Sequence, residues 1–173
     1  MENVKLEKVT NSNKTAFINL FNLYHHDRAK FLPGMYSSVD EEGYYDKDNS
    51  LSTLEMPAEK VQSYLVKYTD KIAGLIVFAF PPFVKPGCDY CIVDIFILNN
   101  YRGKGIAGDA CRLLFNKFPG RYWIQVINSD NYALRYWDNL ISREGSLIVR
   151  DRYDELLIEY EFETAKRDDS KNV

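Results

Sequence analysis

The chain has 173 residues, 46% of them apolar and 27% charged, with a formal net charge of −3. That balance fits one globular domain with a core of its own. It carries no sustained basic run, no apolar run long enough to cross a bilayer and no apolar signal segment in Met1-Glu-Asn-Val-Lys5; the expectation is a cytoplasmic protein that binds neither nucleic acid nor membrane.

The first element is a short strand, Lys5 to Val9. Asn11 or Ser12 can cap a helix running to about Asp27, with Phe17, Leu20, Phe21 and Tyr24 on one face. His25 and His26 close it. Histidine suits the negative end of a helix, and adjacent helical residues face different ways, so capping or solvent contact is expected rather than paired metal ligation. Phe31 to Asn49 is long for a connection, turn-rich and acidic. Asp40, Glu41 and Glu42 with Tyr36, Tyr44 and Tyr45 either line a site for a cationic amine or form a solvated loop.

Gln62 to Tyr68 and Ile72 to Phe80 alternate as strands joined by a hairpin turn at Thr69-Asp70-Lys71, with Gly74 marking a bulge. A proline-rich loop, 81–87, leads to a fourth strand near Asp89. Cys88 and Cys91 have CxxC spacing, but three residues apart on a strand they face opposite ways, and no second pair or nearby histidine completes a metal site. With an odd count of three cysteines, no disulfide framework and no metal are expected. Tyr122 to Ile127 is a fifth strand, reached by a crossover and so parallel to the fourth. Asn128-Ser-Asp-Asn131 is a turn and cap before a helix, Tyr132 to Ile141. Leu147 to Val149 and Leu156 to Phe162 form a last hairpin with Asp151 to Asp154 in the turn. One domain is expected over residues 1–163, with 164–173 a charged, frayed tail. The pattern is α+β: a mixed, mostly antiparallel sheet with helices on both faces.

The informative stretch is Val93 to Phe118. Ile92 to Leu98 is an apolar, β-branched strand; Asn99 to Lys104 is a polar turn; from Gly105 the apolar positions recur at three and four, as on a helix face. A strand passing through a glycine turn into a helix start is an anion cradle, and Gly103 and Gly105 let a ligand approach the main chain. Arg102 and Lys104 add charge, so a diphosphate is the natural guest. Gly103 to Gly108 matches the dinucleotide fingerprint, and Asp130 lies at a plausible distance for a ribose contact. Yet several strands precede it, a polar spacer separates strand from glycines, and too little alternating pattern follows for a nucleotide-binding oxidoreductase.

Arg102-Gly-Lys-Gly105-Ile-Ala107 has the form Arg/Gln-x-x-Gly-x-Gly/Ala and resembles the acetyl-CoA motif of the GNAT N-acetyltransferase superfamily, in its bacterial small-molecule-type members. Ala133-Leu-Arg-Tyr-Trp137 looks like that family's Ala-x-x-Phe-Tyr helix. The resemblance implies that Arg102, Gly103, Lys104, Gly105, Ile106 and Ala107 hold the diphosphate of acetyl-CoA. It implies that the backbone of Ile95, Phe96 and Ile97 pairs with the pantetheine arm where strands four and five splay apart. Asn128 and Asn131, flanking Asp130 at the family's asparagine position, are candidates for the pantetheine amides.

Acetyl transfer needs an aimed, neutral amine and a donor for the oxyanion. Asp94, an acid in an apolar strand, is the candidate base; it is equally an ordinary carboxylate bonded to a neighbouring element. By alternation it shares a face with Phe96 and Leu98, opposite Val93, Ile95 and Ile97. Tryptophan at 137, where the family often has tyrosine, leaves the acid role vacant there; Tyr136 is the adjacent phenol. The expected function is transfer of acetyl from acetyl-CoA to a primary amine, a small molecule or a peptide N-terminus, by direct attack in a ternary complex. The expected acceptor is cationic, and the protein a monomer or homodimer. The alternative is a non-catalytic acyl-CoA-binding regulator or immunity-type protein.

Overall fold

The computed structural model describes residues 3–165 apart from 33, 37 and 46. The strands are β1 (Val4–Lys8), β2 (Val61–Tyr68), β3 (Lys71–Ala79), β4 (Tyr90–Ile97), β5 (Gly120–Ile127), β6 (Ser146–Arg152) and β7 (Leu157–Thr164). The helices are α1 (Lys14–Ala29), α2 (Lys47–Glu55), α3 (Ile106–Lys117) and α4 (Asn131–Glu144). One seven-stranded sheet has the order β1-β2-β3-β4-β5-β7-β6. Every pairing is antiparallel except β4 with β5, which are joined through α3. This is the mixed sheet the sequence implies.

Alternation along the strands sorts the core into two layers. On one face Ile76, Phe78, Ile92, Tyr122, Ile124, Tyr160 and Phe162 pack under α3 and α4. On the other, Leu65, Leu75, Val77 and Phe96 pack under α1 through Phe17, Leu20 and Phe21, with Leu54 of α2 at the margin. Burying such side chains on both faces supplies most of the driving force for the fold. Among the described residues no helix is long and apolar enough to cross a membrane.

Several details differ from the sequence expectation. Helix α2 begins in the last three residues of the 31–49 stretch read as a long loop and continues through 50–55, for which the sequence offers no element. Its composition, Lys47-Asp-Asn-Ser-Leu-Ser-Thr-Leu-Glu55, is poor in helix formers, so packing against α1 and β2 rather than propensity makes it. Helix α1 starts after Asn13, whose side chain accepts from Thr10 N–H and donates to Glu7 instead of capping the helix. It runs past the histidines, so His25 is buried against the rings of Phe21 and Tyr36, and His26 bonds Tyr45 Oη at 2.9 Å. The last strand extends through Thr164, buried and paired with Gly120; residues 166–173 of the expected tail lie outside the described residues. Cys88 precedes β4 rather than lying on it, and all three cysteines are free and buried.

The hairpin after β2 turns on Thr69 and Asp70, both at positive φ (46° and 64°), the two-residue turn that suits the strand twist. Beside it, the β2–β3 register shifts at Ala73, next to Gly74. A Cβ on Gly74 would lie 2.0 Å from the Phe96 carbonyl oxygen, so glycine is what lets β3 approach β4 here.

Candidate active site

The site begins with an irregularity in β4. Val77 faces Asp94 and Phe78 faces Ile92, leaving Val93 as an extra, exposed residue. A bulge bends its strand away from regular pairing. Strand β4 accordingly meets β5 only at Tyr90–Tyr122 and Cys91–Trp123. Beyond those pairs the strands part, and a cleft of about 450 Å³ opens between Ile92–Ile97 and Gln125–Ile127. Leu98 donates its N–H to Ala73 of β3 at 2.8 Å. By the alternation of backbone direction, the Ile95 and Ile97 main-chain groups therefore face the gap. The Ile97 carbonyl is taken by Arg102 Nε at 2.8 Å.

The turn after β4 forms the head of the cleft. Gly103 and Gly105 both have positive φ (75° and 77°), and a Cβ on either would meet nothing within 4 Å. Open space lies on that side, so a ligand can reach the main chain. Helix α3 makes its first bond from Asp109 N–H to the Gly105 carbonyl at 3.0 Å. Among the described residues, none of the N–H groups from Gly103 to Gly108 donates to a backbone carbonyl. A row of open donors at the positive end of a helix is suited to phosphate. Ile106 is buried and anchors the turn, while Ala107 and Gly108 line the cleft.

Arg102 is more than a nearby charge. Besides its bond to Ile97 it donates from Nη2 to Asp27 Oδ2 at 2.6 Å, tying the turn to α1. Burial raises the Asp27 carboxyl, but the bonds from Arg102 and Lys30 outweigh it and hold the group below the usual range. Lys104 is exposed, with Nζ 5.5 Å from the Tyr101 ring centre, and lies off the cleft wall.

The two faces of the sheet supply the two walls. From α3 and α4 come Ala107, Ala133, Tyr136 and Trp137; from α1 come Tyr24, Asp27 and Arg28, on one helical face, with Lys30 and Phe31 just past its end. The splay is therefore a slot through the sheet, open to α1 on one side and to α3 and α4 on the other. On its α1 side Tyr24 donates its hydroxyl proton to Asp94 Oδ1 at 2.5 Å, and Arg28 Nη1 donates to Tyr24 Oη at 2.8 Å and to Asp94 Oδ1 at 3.2 Å. The Asp94 side chain is 11% exposed and that of Arg28 26%. Burial, reinforced by the Asp94 charge, pushes the Tyr24 phenol well above its ordinary range. Burial opposes the Arg28 charge, but Tyr24 and Asp94 more than restore it. Gln125 also lines the slot; its Nε2 is buried and has no partner among the described residues.

The structure thus gathers Ile95, Phe96, Ile97, Arg102, Gly103, Gly105, Ile106, Ala107 and Tyr136 on one cleft. Asp94 lies one layer behind its wall, in the Tyr24–Arg28 cluster. The Tyr136 hydroxyl turns away to Cys111 Sγ at 3.5 Å, and burial pushes it well above the ordinary phenol range. Asn128 donates to the Glu155 carbonyl at 2.6 Å, and Asn131 is exposed; neither lines the cleft. Asp130 does, and caps α4 by accepting from the N–H groups of Tyr132 and Ala133. The acidic loop also stands apart: Asp40 accepts from the N–H groups of Glu42 and Tyr44 in its own turn, and none of 40–45 is on the cleft wall. Tyr24, Asp27, Arg28 and Gln125 were not singled out from sequence as site residues. The 24, 27, 28, 31 spacing is the signal that would have found the first three.

Among the described residues no group of three or more histidine, cysteine, aspartate or glutamate side chains is placed to hold a metal ion. Residues 19–140 match the model of the acetyltransferase (GNAT) family. No curated protein is significantly similar in sequence. Among solved structures, the chain resembles the histone acetyltransferase HPA2 and related acetyltransferase of Corynebacterium glutamicum, with a TM-score of 0.71 at 9% identity, covering 94% of this chain and 97% of that one. The microcin C7 self-immunity acetyltransferase MccE, solved with acetyl-CoA and AMP, gives 0.62 at 18% identity over 93% and 92%. The Salmonella typhimurium acetyltransferase that modifies the N-terminal serine of ribosomal protein L7/L12 gives 0.62 at 12% over 95% and 97%.

Proposed function

The chain belongs to the acetyltransferase (GNAT) family, and on that premise we propose that it transfers the acetyl group of acetyl-CoA to a primary amine by direct attack in a ternary complex. The observation that carries this is the conjunction of the open N–H row at Gly103–Gly108 with the β4–β5 slot beside it. The row would hold the diphosphate. The main-chain groups of Ile95 and Ile97 would take the pantetheine arm, with the Ile97 N–H as donor to the thioester oxygen. The amine would enter from the α1 side. Holding both reactants in one slot supplies much of the acceleration.

Asp94 would act through Tyr24. The phenol donates to Asp94 Oδ1 and accepts from Arg28, leaving one lone pair for the amine. As the amine attacks, its proton passes to the Tyr24 oxygen while the phenol proton passes to Asp94. With the Tyr136 hydroxyl turned to Cys111, the thiolate of CoA leaves without a proton from that residue. The non-catalytic reading draws on Trp137, which has no proton to give at that position. The thermal midpoint with and without acetyl-CoA, with NADH as control, tests the cofactor. A ligand at a hundred times its dissociation constant stabilises by about 2.7 kcal/mol, roughly 5–10 °C for a domain of this size. Release of free thiol with an amine panel then separates an enzyme from a binding protein. No shift with acetyl-CoA would sink the reading.

A further inference from the structure

The charges on the α1 side of the slot do not suit a cationic acceptor. Asp94 is bonded to both Tyr24 and Arg28, and Asp27 to both Arg102 and Lys30. Each carboxylate there already has its cation. Against these two acids stand three bases, Arg28, Lys30 and Arg102. Gln125 adds a buried amide donor without a partner, on the strand that forms the opposite lip. By strand alternation it faces the α1 side, since Ile124 and Val126 pack under α3 and α4. A buried donor left unpaired is costly, and an occupant that accepts from it recovers that cost. Asp130, the remaining acid on the wall, sits across the slot and is engaged at the start of α4.

We infer that the acceptor is an amine that also carries a carboxylate, an amino-acid-type zwitterion, with the carboxylate received by Arg28, Lys30 and Gln125 and the amine directed to Tyr24. The inference rests on the acetyl-transfer reading above. A second amine would add a cation to a wall that already has one in excess, whereas a carboxylate balances it. Guanidinium and ammonium donors to a carboxylate make charge-assisted bonds, which are stronger than neutral ones and geometrically selective. The aromatic rings of Tyr24, Phe31 and Phe96 leave an apolar surface beside these donors for a side chain.

The test measures thiol release at saturating acetyl-CoA with matched sets of amines: L-amino acids with small, apolar and aromatic side chains, their amides, and α,ω-diamines of similar length. Rates are compared per concentration of neutral amine. For the preferred side chain, the acid should exceed its amide by about tenfold or more in kcat/KM, chiefly through KM. Lys30→Gln, at an exposed position, should shrink that ratio several-fold. Arg28→Gln should bring it near one, with the acetyl-CoA thermal shift intact in both. Amides or diamines equal to the acids would overturn the inference. So would an acid preference untouched in both variants, or no turnover of any acid while acetyl-CoA still binds. Absence of the acetyl-CoA shift itself would instead bring down the transfer reading beneath it.

Discussion

Asp94→Asn probes the cluster behind the wall of the slot. Asparagine keeps the volume and an acceptor oxygen, so Tyr24 can still donate, but the charge facing Arg28 is gone. The two bonds to Oδ1, at 2.5 and 3.2 Å, are charge-assisted. Such bonds contribute about 1.5–3 kcal/mol each, against about 1 for a neutral one. Breaking a fully buried ion pair costs about 3–5 kcal/mol. Arg28 is 26% exposed, and water recovers part of its solvation, so the expected loss is about 2–3 kcal/mol. Urea unfolding at neutral pH measures it as a lower midpoint at unchanged slope. Tyr24→Phe should cost about 1–2 kcal/mol, and the double variant should show a coupling of about 1 kcal/mol, because both substitutions break the same bond. In the kinetic arm, either variant should lower kcat by about a hundredfold while leaving acetyl-CoA affinity alone. A stability loss under about 0.5 kcal/mol, or a fully active Asp94→Asn protein, would refute the cluster's assigned role.

At Gly105, a glutamate would place bulk and negative charge in the open space before the N–H row. Since a Cβ there meets nothing within 4 Å, the fold should survive with about 1–2 kcal/mol of left-handed strain while CoA binding is lost by isothermal titration; Gly105→Ala should show the strain with weaker loss of binding. Glu161 is held below the ordinary carboxylate value of 4.5 by its bond from Lys85, against burial, with help from Arg121. Its contribution to stability is whole above about pH 4.5 and is lost as pH falls through its lower folded value, so Glu161→Gln should flatten the acid limb of a stability-against-pH curve; an unchanged limb would clear it. Burial pushes the Cys91 and Cys111 thiols up to about 12, and raises Cys88 as well. A thiol reagent should therefore label none of the three quickly at neutral pH and all three after unfolding.

Much of this protein is determined by local pattern, independently of tertiary contacts. Period two identified the strands, and period three-four placed α1, α3 and α4. The sequence Arg102-Gly-Lys-Gly105 marked the turn whose main chain is open on one side, because two left-handed residues there carry no Cβ. Alternation puts Asp94, Phe96 and Leu98 on one face and Val93, Ile95 and Ile97 on the other; the packing agrees except at Val93, the exposed residue of the bulge. Helix α2 was illegible because its stability is borrowed from α1 and β2 rather than carried in its own composition.

What only the folded chain decided is what each polar group faces. Asp94 reads as a lone acid in an apolar strand; it is Tyr24 and Arg28, some seventy residues away in sequence, that turn it into a bonded cluster behind the wall. The acids of 40–42 read equally as a site for a cation and as a solvated loop; in the folded chain Asp40 accepts from N–H groups of its own turn, and the slot is left with one more base than acid on its α1 side. Charge composition is a sum over residues and is fixed by the chain. The field inside a cleft depends on distances between groups from different elements, and only the sheet, by splaying at the β4 bulge, brings those elements together.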